Sequence, residues 1–178
     1  GLGLPEPKFE VVEVTTVIDQ VVTVFRGQMS KNRIEFVENI KANVSVKADE
    51  MAFRESIKSL FGFFIQAFPQ DAQNKKLILN VETLGAQAQI SLEGVGLRVE
   101  SETRRLMFSP FRIKGVGQKY LGLDLALAQS VVESMNGELQ VEKAEDSALK
   151  IFVRVPSVHK VELTPAPTET SRETLAEA

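Results

Sequence analysis

The groups in this chain that could do chemistry are few. Two glycine-rich pieces, Leu92-Glu93-Gly94-Val95-Gly96 and Lys119-Tyr120-Leu121-Gly122-Leu123-Asp124-Leu125, have the composition of loops whose backbone N–H groups can approach a ligand closely. Between them runs a loop-rich stretch with Gly115 and Gly117, two large apolar residues, Phe108 and Phe111, and a basic cluster of Arg98, Arg104, Arg105, Arg112, Lys114 and Lys119. Such a cluster is either a solvated face or a surface turned toward a phosphate or a partner. Covalent and metal chemistry is mostly excluded. There is no Cys, hence no thiolate nucleophile, zinc site or disulfide, and the single His159 cannot form a His cluster.

Composition narrows the classes further. In 178 residues, 21 basic and 24 acidic side chains leave 21 − 24 = −3, with 43% hydrophobic and 25% charged residues, the profile of one medium-sized globular domain. A mildly acidic chain without interleaved exposed aromatics gives no footprint for nucleic acid. No apolar run reaches the roughly 18 residues a membrane span needs, and Gly1-Leu2-Gly3-Leu4-Pro5 lacks the pattern of a secretory leader. The expectation is a cytoplasmic domain, and a start at Gly suggests a piece of a longer, even membrane-attached, protein.

Alternating periods along the chain give the elements that must position these groups. Phe9 to Val14 reads as a short strand, after which Thr15 or Thr16 can cap a helix carrying Val17, Val21, Val24 and Phe25. Ile34–Val37 and Val44–Val46 read as strands around a turn-prone Asn39 to Asn43. The clearest helix starts at Asp49 and keeps Phe53, Ile57, Leu60, Phe61, Phe64 and Phe68 in one stripe until Pro69. Leu77–Val81 and Ala86–Leu92 form an antiparallel pair around Gly85, and a short helix is expected near Glu102 to Phe108. Leu123 to Met135 is a second strong helix, closed by Asn136-Gly137 as a left-handed cap. Leu139–Val141 and Leu149–Val155 complete the strands, and no internal repeat is present. The order predicts an α+β fold, a two-layer sandwich whose mixed, mostly antiparallel sheet is covered on one face by about three helices. Residues 1–156 make the domain, and Ser157 to Ala178, rich in Thr, Glu, Ala and Pro, make a disordered tail or linker.

In this order, Ala48-Asp49-Glu50, Phe108-Ser109-Pro110-Phe111, Gly122-Leu123 and Val131-Val132-Glu133-Ser134-Met135-Asn136-Gly137-Glu138-Leu139 resemble the GHKL (Bergerat-fold) ATP-binding domain, the catalytic half of bacterial sensor histidine kinases. The resemblance runs from Phe9 to Pro156. It implies that the long helix and the two glycine boxes would line a nucleotide pocket, that Phe108-Ser109-Pro110-Phe111 is the family's F box, and that the phospho-accepting His lies on a separate helical dimerisation domain. Implied partners are that helical domain or a response-regulator receiver.

Three motif positions depart from the family. Its long helix carries Asn-Leu-Leu-x-Asn-Ala, whose second Asn holds the magnesium on ATP; here Ser59 and Phe63 stand at the two Asn positions, and a phenyl ring offers magnesium no oxygen. Its first glycine box is Asp-x-Gly-x-Gly, whose carboxylate accepts a hydrogen bond from the adenine amino group. Leu92 stands at that Asp, while Gly94 and Gly96 remain. Glu93 is adjacent but on an extended chain points to the opposite side. In the second box Gly122 matches the middle Gly and Asp124 the last, adding bulk and negative charge where phosphate would approach.

Each departure has a plain alternative. Gly94, Gly96, Gly115 and Gly117 can be turn glycines, and Phe108 and Phe111 loop anchors. Phe63 lies about 110° from the centre of the helix's apolar stripe, on the face of Ser56 and Ser59, so it either plugs an emptied pocket or packs as ordinary core. The expectation is a degenerate catalytic domain retained as a signalling and interaction module: no catalytic residue, no metal, no cofactor, a remodelled pocket at Ser59, Phe63, Leu92, Gly94, Gly96, Lys114, Gly122 and Asp124, and a contact surface at Phe108, Phe111 and Arg112. The alternative is an active domain that binds ATP with magnesium in a modified way, recruiting Glu93, Asp124 or Lys114; a third is a sensor of another small ligand. Removing residues from Val161 onward is expected to change the melting temperature by no more than roughly 2 °C, because that segment has no periodic apolar face to dock. A truncated chain melted by circular dichroism checks this.

Overall fold

The computed structural model describes residues 6–97, 122–145 and 148–159. Strand β1 (Phe9–Glu13) leads straight into helix α1 (Val14–Lys31), followed by β2 (Glu35–Ile40), β3 (Ser45–Asp49), α2 (Glu50–Ala67), β4 (Lys76–Leu84), β5 (Gln87–Val95), α3 (Gly122–Ser134), β6 (Glu138–Glu145) and β7 (Ala148–Val158). Among the described residues this is a seven-stranded mixed sheet with three helices. The expected helix near Glu102 to Phe108 lies outside the described residues, as do residues 160–178.

Strand order across the sheet is β1-β3-β7-β5-β4-β2, with β6 also on β7. All pairs are antiparallel except β2 with β4. The two early strands expected to flank a turn therefore do not pair with each other. β2 runs on through Asn39 to Ile40 beside β4, whereas β3 joins β1 and the end of β7. β7 carries Ser157 and Val158, two residues past the boundary expected from composition, and pairs them with Val46 and Ser45.

Side-chain alternation divides the two faces. Leu77, Leu79 and Val81 on β4, Ala88, Ile90 and Leu92 on β5, and Leu149, Ile151, Val153 and Val155 on β7 are buried on the inner face and form one core with the helices. The outer face satisfies itself in rows that cross the strands. Asn39 Nδ2 donates to Asn80 Oδ1 (3.1 Å) and Asn80 Nδ2 to Ser91 Oγ (3.4 Å). One row further, Gln89 Nε2 donates to Glu82 Oε1 (3.0 Å) and Arg154 Nε to Gln89 Oε1 (2.8 Å), while Lys41 pairs with Glu82 (3.5 Å).

The helix ends show local chemistry that a periodicity pattern only partly carries. Glu13, not either threonine, stands at the N-cap position of α1 and makes no side-chain cap hydrogen bond there; Thr15 Oγ1 donates to Asn43 Oδ1 (2.9 Å) and Thr16 Oγ1 to Glu13 Oε2 (3.4 Å). Its other end closes with Arg33 in the left-handed region at φ 56°, where Ile34 N donates to Met29 O (2.9 Å). α3 ends the same way, with Asn136 at φ 57° and Gly137 N donating to Val132 O (2.9 Å). Gly137 has a packing reason of its own, since a Cβ there would lie 2.5 Å from Arg154 O and from Val155 Cγ1.

α2 starts where the sequence predicts. Asp49 accepts from Ala52 N (3.1 Å) and also from Lys8 N (3.1 Å). Backbone N–H groups, Ala52 first, then Lys8 and last Met51, hold the Asp49 carboxyl below its ordinary value against the opposing effect of desolvation. A depressed folded pKa means that the cap stabilises fully above the unfolded value and is lost as pH falls through the folded one. Asp49→Ala is therefore expected to lower the melting temperature at pH 7, with the gap to the unsubstituted chain closing as pH drops through and below the ordinary aspartate range. Parallel melts along a pH series check it.

Candidate functional site

The long helix and the first glycine box face each other across the core. Within α2, Phe53, Phe61 and Phe64 are fully buried, and Phe68 just past its end nearly so. Phe61 ties the helix to its neighbours, stacking on Phe25 of α1 with centroids 5.9 Å apart and meeting Phe36 of β2 at 6.0 Å. One turn on, Phe64 reaches β5. A Cβ built on Gly94 would lie 2.8 Å from Phe64 Cδ1 and 2.7 Å from Leu97 Cδ1. Gly94 is thus glycine because a ring and a leucine fill the notch that its missing side chain leaves. Gly96 has a different reason, a backbone at φ 86° whose Cβ would come within 3.2 Å of Asn74 O. Both glycines have local causes that need no phosphate.

The positions singled out in the sequence fall as follows. Leu92 is 1% exposed on the inner face of β5, opposite Leu79 of β4 and Ile151 of β7. Glu93 faces outward, in register with Ile78 and Lys150, so it offers the core no substitute carboxylate. Phe63 is 8% exposed, its ring edge-on to Phe64 with centroids 5.6 Å apart; it does not front solvent. Ser56 is fully buried, and its hydroxyl donates to Phe53 O (2.7 Å). Ser59 is half-buried and donates to Glu55 O (2.9 Å). Both hydroxyls are turned back onto their own helix. Gly122 opens α3 and Asp124 belongs to its first turn, with the Asp124 side chain outside the description. Phe108, Phe111, Arg112, Lys114, Gly115 and Gly117 also lie outside the described residues.

Leu92, Gly94, Phe63, Phe64 and Leu97 therefore belong to one apolar assembly. Sequence reasoning missed Phe64 and Leu97, because Phe64 sits at the centre of the apolar stripe where any buried residue would. The available signal was Gly94 itself. A glycine at an inward position of a strand otherwise carrying Ala88, Ile90 and Leu92 requires a neighbour to fill its place. Chemically the assembly offers a nonpolar wall, with neither a carboxylate at position 92 nor an oxygen ligand at position 63. Among the described residues no group of three His, Asp or Glu side chains could hold a metal ion, and no helix is long and apolar enough to cross a membrane.

No protein-family model and no curated protein matches the sequence. Solved structures match the fold. The nucleotide-free catalytic domain of histidine kinase ThkA superposes with a TM-score of 0.68 at 20% identity, covering 84% of this chain and 95% of that one. ThkA in complex with the response regulator protein TrrA gives 0.65 at 19%, over 84% of this chain and 42% of that one. For the mycobacterial sensor histidine kinase MprB the figures are 0.67, 21%, 84% and 98%. Full-length ShkA in complex with AMPPNP gives 0.68 at 18%, with 89% of this chain spanning 33% of that one. The chain thus has the fold of the catalytic domains of sensor histidine kinases.

The burial of Leu92 leads to a direct expectation. Leu92→Asp should cost at least about 3 kcal/mol of stability, since it combines lost apolar packing with a carboxylate in a dry interior, whereas Leu92→Met should stay below about 1.5 kcal/mol. Urea denaturation of the two variants checks the contrast.

Proposed function

We propose that this chain is a histidine-kinase-like catalytic domain that has become a signalling and protein-interaction module of a two-component-like pathway, with nucleotide binding lost or weak. The observation that carries the reading is Leu92, fully buried in the apolar assembly at the position where the resembling family presents adenine with a carboxylate. Phe63 at the magnesium position supports it, because a hard cation has no ligand in a phenyl ring. The residues present do not fit a magnesium nucleotide. A lost hydrogen bond to a charged group is worth about 1.5 to 3 kcal/mol, and a missing metal ligand adds to it.

Two of the similar structures support a partner class. ThkA is seen with a response regulator, and ShkA as a full-length kinase of which this fold is one part. A receiver domain, or the helical domain that carries the phospho-accepting His, is accordingly the partner proposed here, in the cytoplasm. Phe108 and Phe111, two apolar residues flanked by Arg104, Arg105, Arg112 and Lys114, have the composition of a contact patch, apolar anchors inside a charged rim. No phosphoryl transfer is assigned to this chain, and Lys114, Gly122 and Asp124 keep only positional correspondence to a phosphate site.

Calorimetric titration with Mg-ATP tests the reading. The expected outcome is no saturable heat at millimolar nucleotide; a low-micromolar Kd would replace the proposal with an active ATP-binding domain. For the contact surface, Phe111→Ala is expected to weaken binding to a cognate receiver or helical domain by at least about 1 kcal/mol with the melting temperature held. Unchanged affinity in a folded variant removes that surface.

A further inference from the structure

Loss of a carboxylate alone leaves a weak pocket, not a closed one; a pocket stays closed when something occupies it. On the inner face of β5 the side chains Ala88, Ile90 and Leu92 form a continuous wall, and the next inward position, Gly94, is the one place where that wall is open. The opening is filled from α2. Phe64, which is fully buried, lies 2.8 Å from where a Gly94 Cβ would be, with Leu97 closing the other side at 2.7 Å. Phe63 backs the first ring edge-on. We infer that Phe64 is the residue that excludes the nucleotide base: its ring takes the flat space beside position 92 that an adenine would need.

This inference rests on the proposed reading of the site and assigns the exclusion to a single side chain. The physical argument is one of shape. A planar aromatic ring held between a helix and a strand occupies a slot of the same form as a purine base, and a close-packed interior cannot hold both. Restoring the carboxylate while Phe64 remains therefore restores nothing, and removing Phe64 while Leu92 remains opens an apolar slot with no group to select adenine. Phe63, at the magnesium position, packs edge-on against Phe64, while the atoms nearest to a Gly94 Cβ belong to Phe64 and Leu97. Adenosine is the probe that isolates this step, since it carries the base without phosphates or metal.

The experiment is a two-residue cycle read by calorimetric titration of adenosine into the unsubstituted chain, Leu92→Asp, Phe64→Ala and the double variant, each verified as folded by a cooperative melt. Expected is binding by the double variant at least about tenfold tighter than by either single variant, and none to the unsubstituted chain. Two results overturn the inference while leaving the proposed function standing: Leu92→Asp alone binding as well as the double variant, or a folded double variant with no gain. Binding by the unsubstituted chain refutes the proposed function instead. If the double variant does not fold, Phe64→Val is titrated with indole, an apolar ring pair of purine-like shape, and the Leu97 methyl resonances are followed. A saturable shift of those methyls, absent from the unsubstituted chain, supports the assignment. Unmoved Leu97 signals in the folded variant defeat it.

Discussion

The packing of α2 against the inner face of the sheet is the interaction on which the rest depends. Three fully buried phenylalanines at helical spacing, Phe53, Phe61 and Phe64, fix both the height and the rotation of the helix. Phe61 sets it against α1 and β2, and Phe64 sets it against β5. A helix anchored at two successive turns cannot rotate without losing one anchor, so the positions of Phe63 and Ser59 follow from those of Phe61 and Phe64. Whatever the first glycine box does, it does beneath a helix held this way.

The two faces of the sheet solve different problems. Inward, burial of Val, Leu and Ile drives the fold, at about 25 cal/mol per Å² of apolar surface removed from water. Outward, amides, hydroxyls and charges bond across strands, so that Gln89 and Ser91, both nearly fully buried, find partners on neighbouring strands of the sheet itself. Arg154 bonds to the neutral amides of Gln89 and Gln140 and lies over the ring of Phe152, which Lys150 also approaches. Among the described residues the polar groups of that face are thus satisfied within the sheet.

Much of the fold was legible in the sequence because it rests on periodicity and capping, two local signals. Asp49 with Phe53 to Phe68, the Gly85 hairpin and the Asn136 end of α3 all show in the structure as those signals require. What escaped depends on contacts between distant residues. α1 starts one residue ahead of the threonines, whose hydroxyls bond to Asn43 and Glu13, and Arg33 ends it in a conformation that sequence rules assign to Gly or Asn. β2 and β3, neighbours in sequence, went to different places, β2 beside β4 and β3 between β1 and the end of β7. At the site, the departures at positions 63 and 92 were visible from motif spacing. The ring that fills Gly94 was not, since a core phenylalanine and a plug have the same one-dimensional pattern.

β7 pairs with β5 along one side, and along the other with β6 and then, through Ser157 and Val158 alone, with β3. The first strands of this fold are thereby fastened by residues of its last strand. A chain emerging from the ribosome must hold β1 and β3 unattached to the main sheet while roughly a hundred further residues are added, on the order of ten seconds at ordinary synthesis rates. Sheet closure consequently comes late in the synthesis of this fold. Until then the long-range pairing that costs most in loop entropy is missing, and the free edge of β3 is a place where a chaperone or a neighbouring nascent chain can bind.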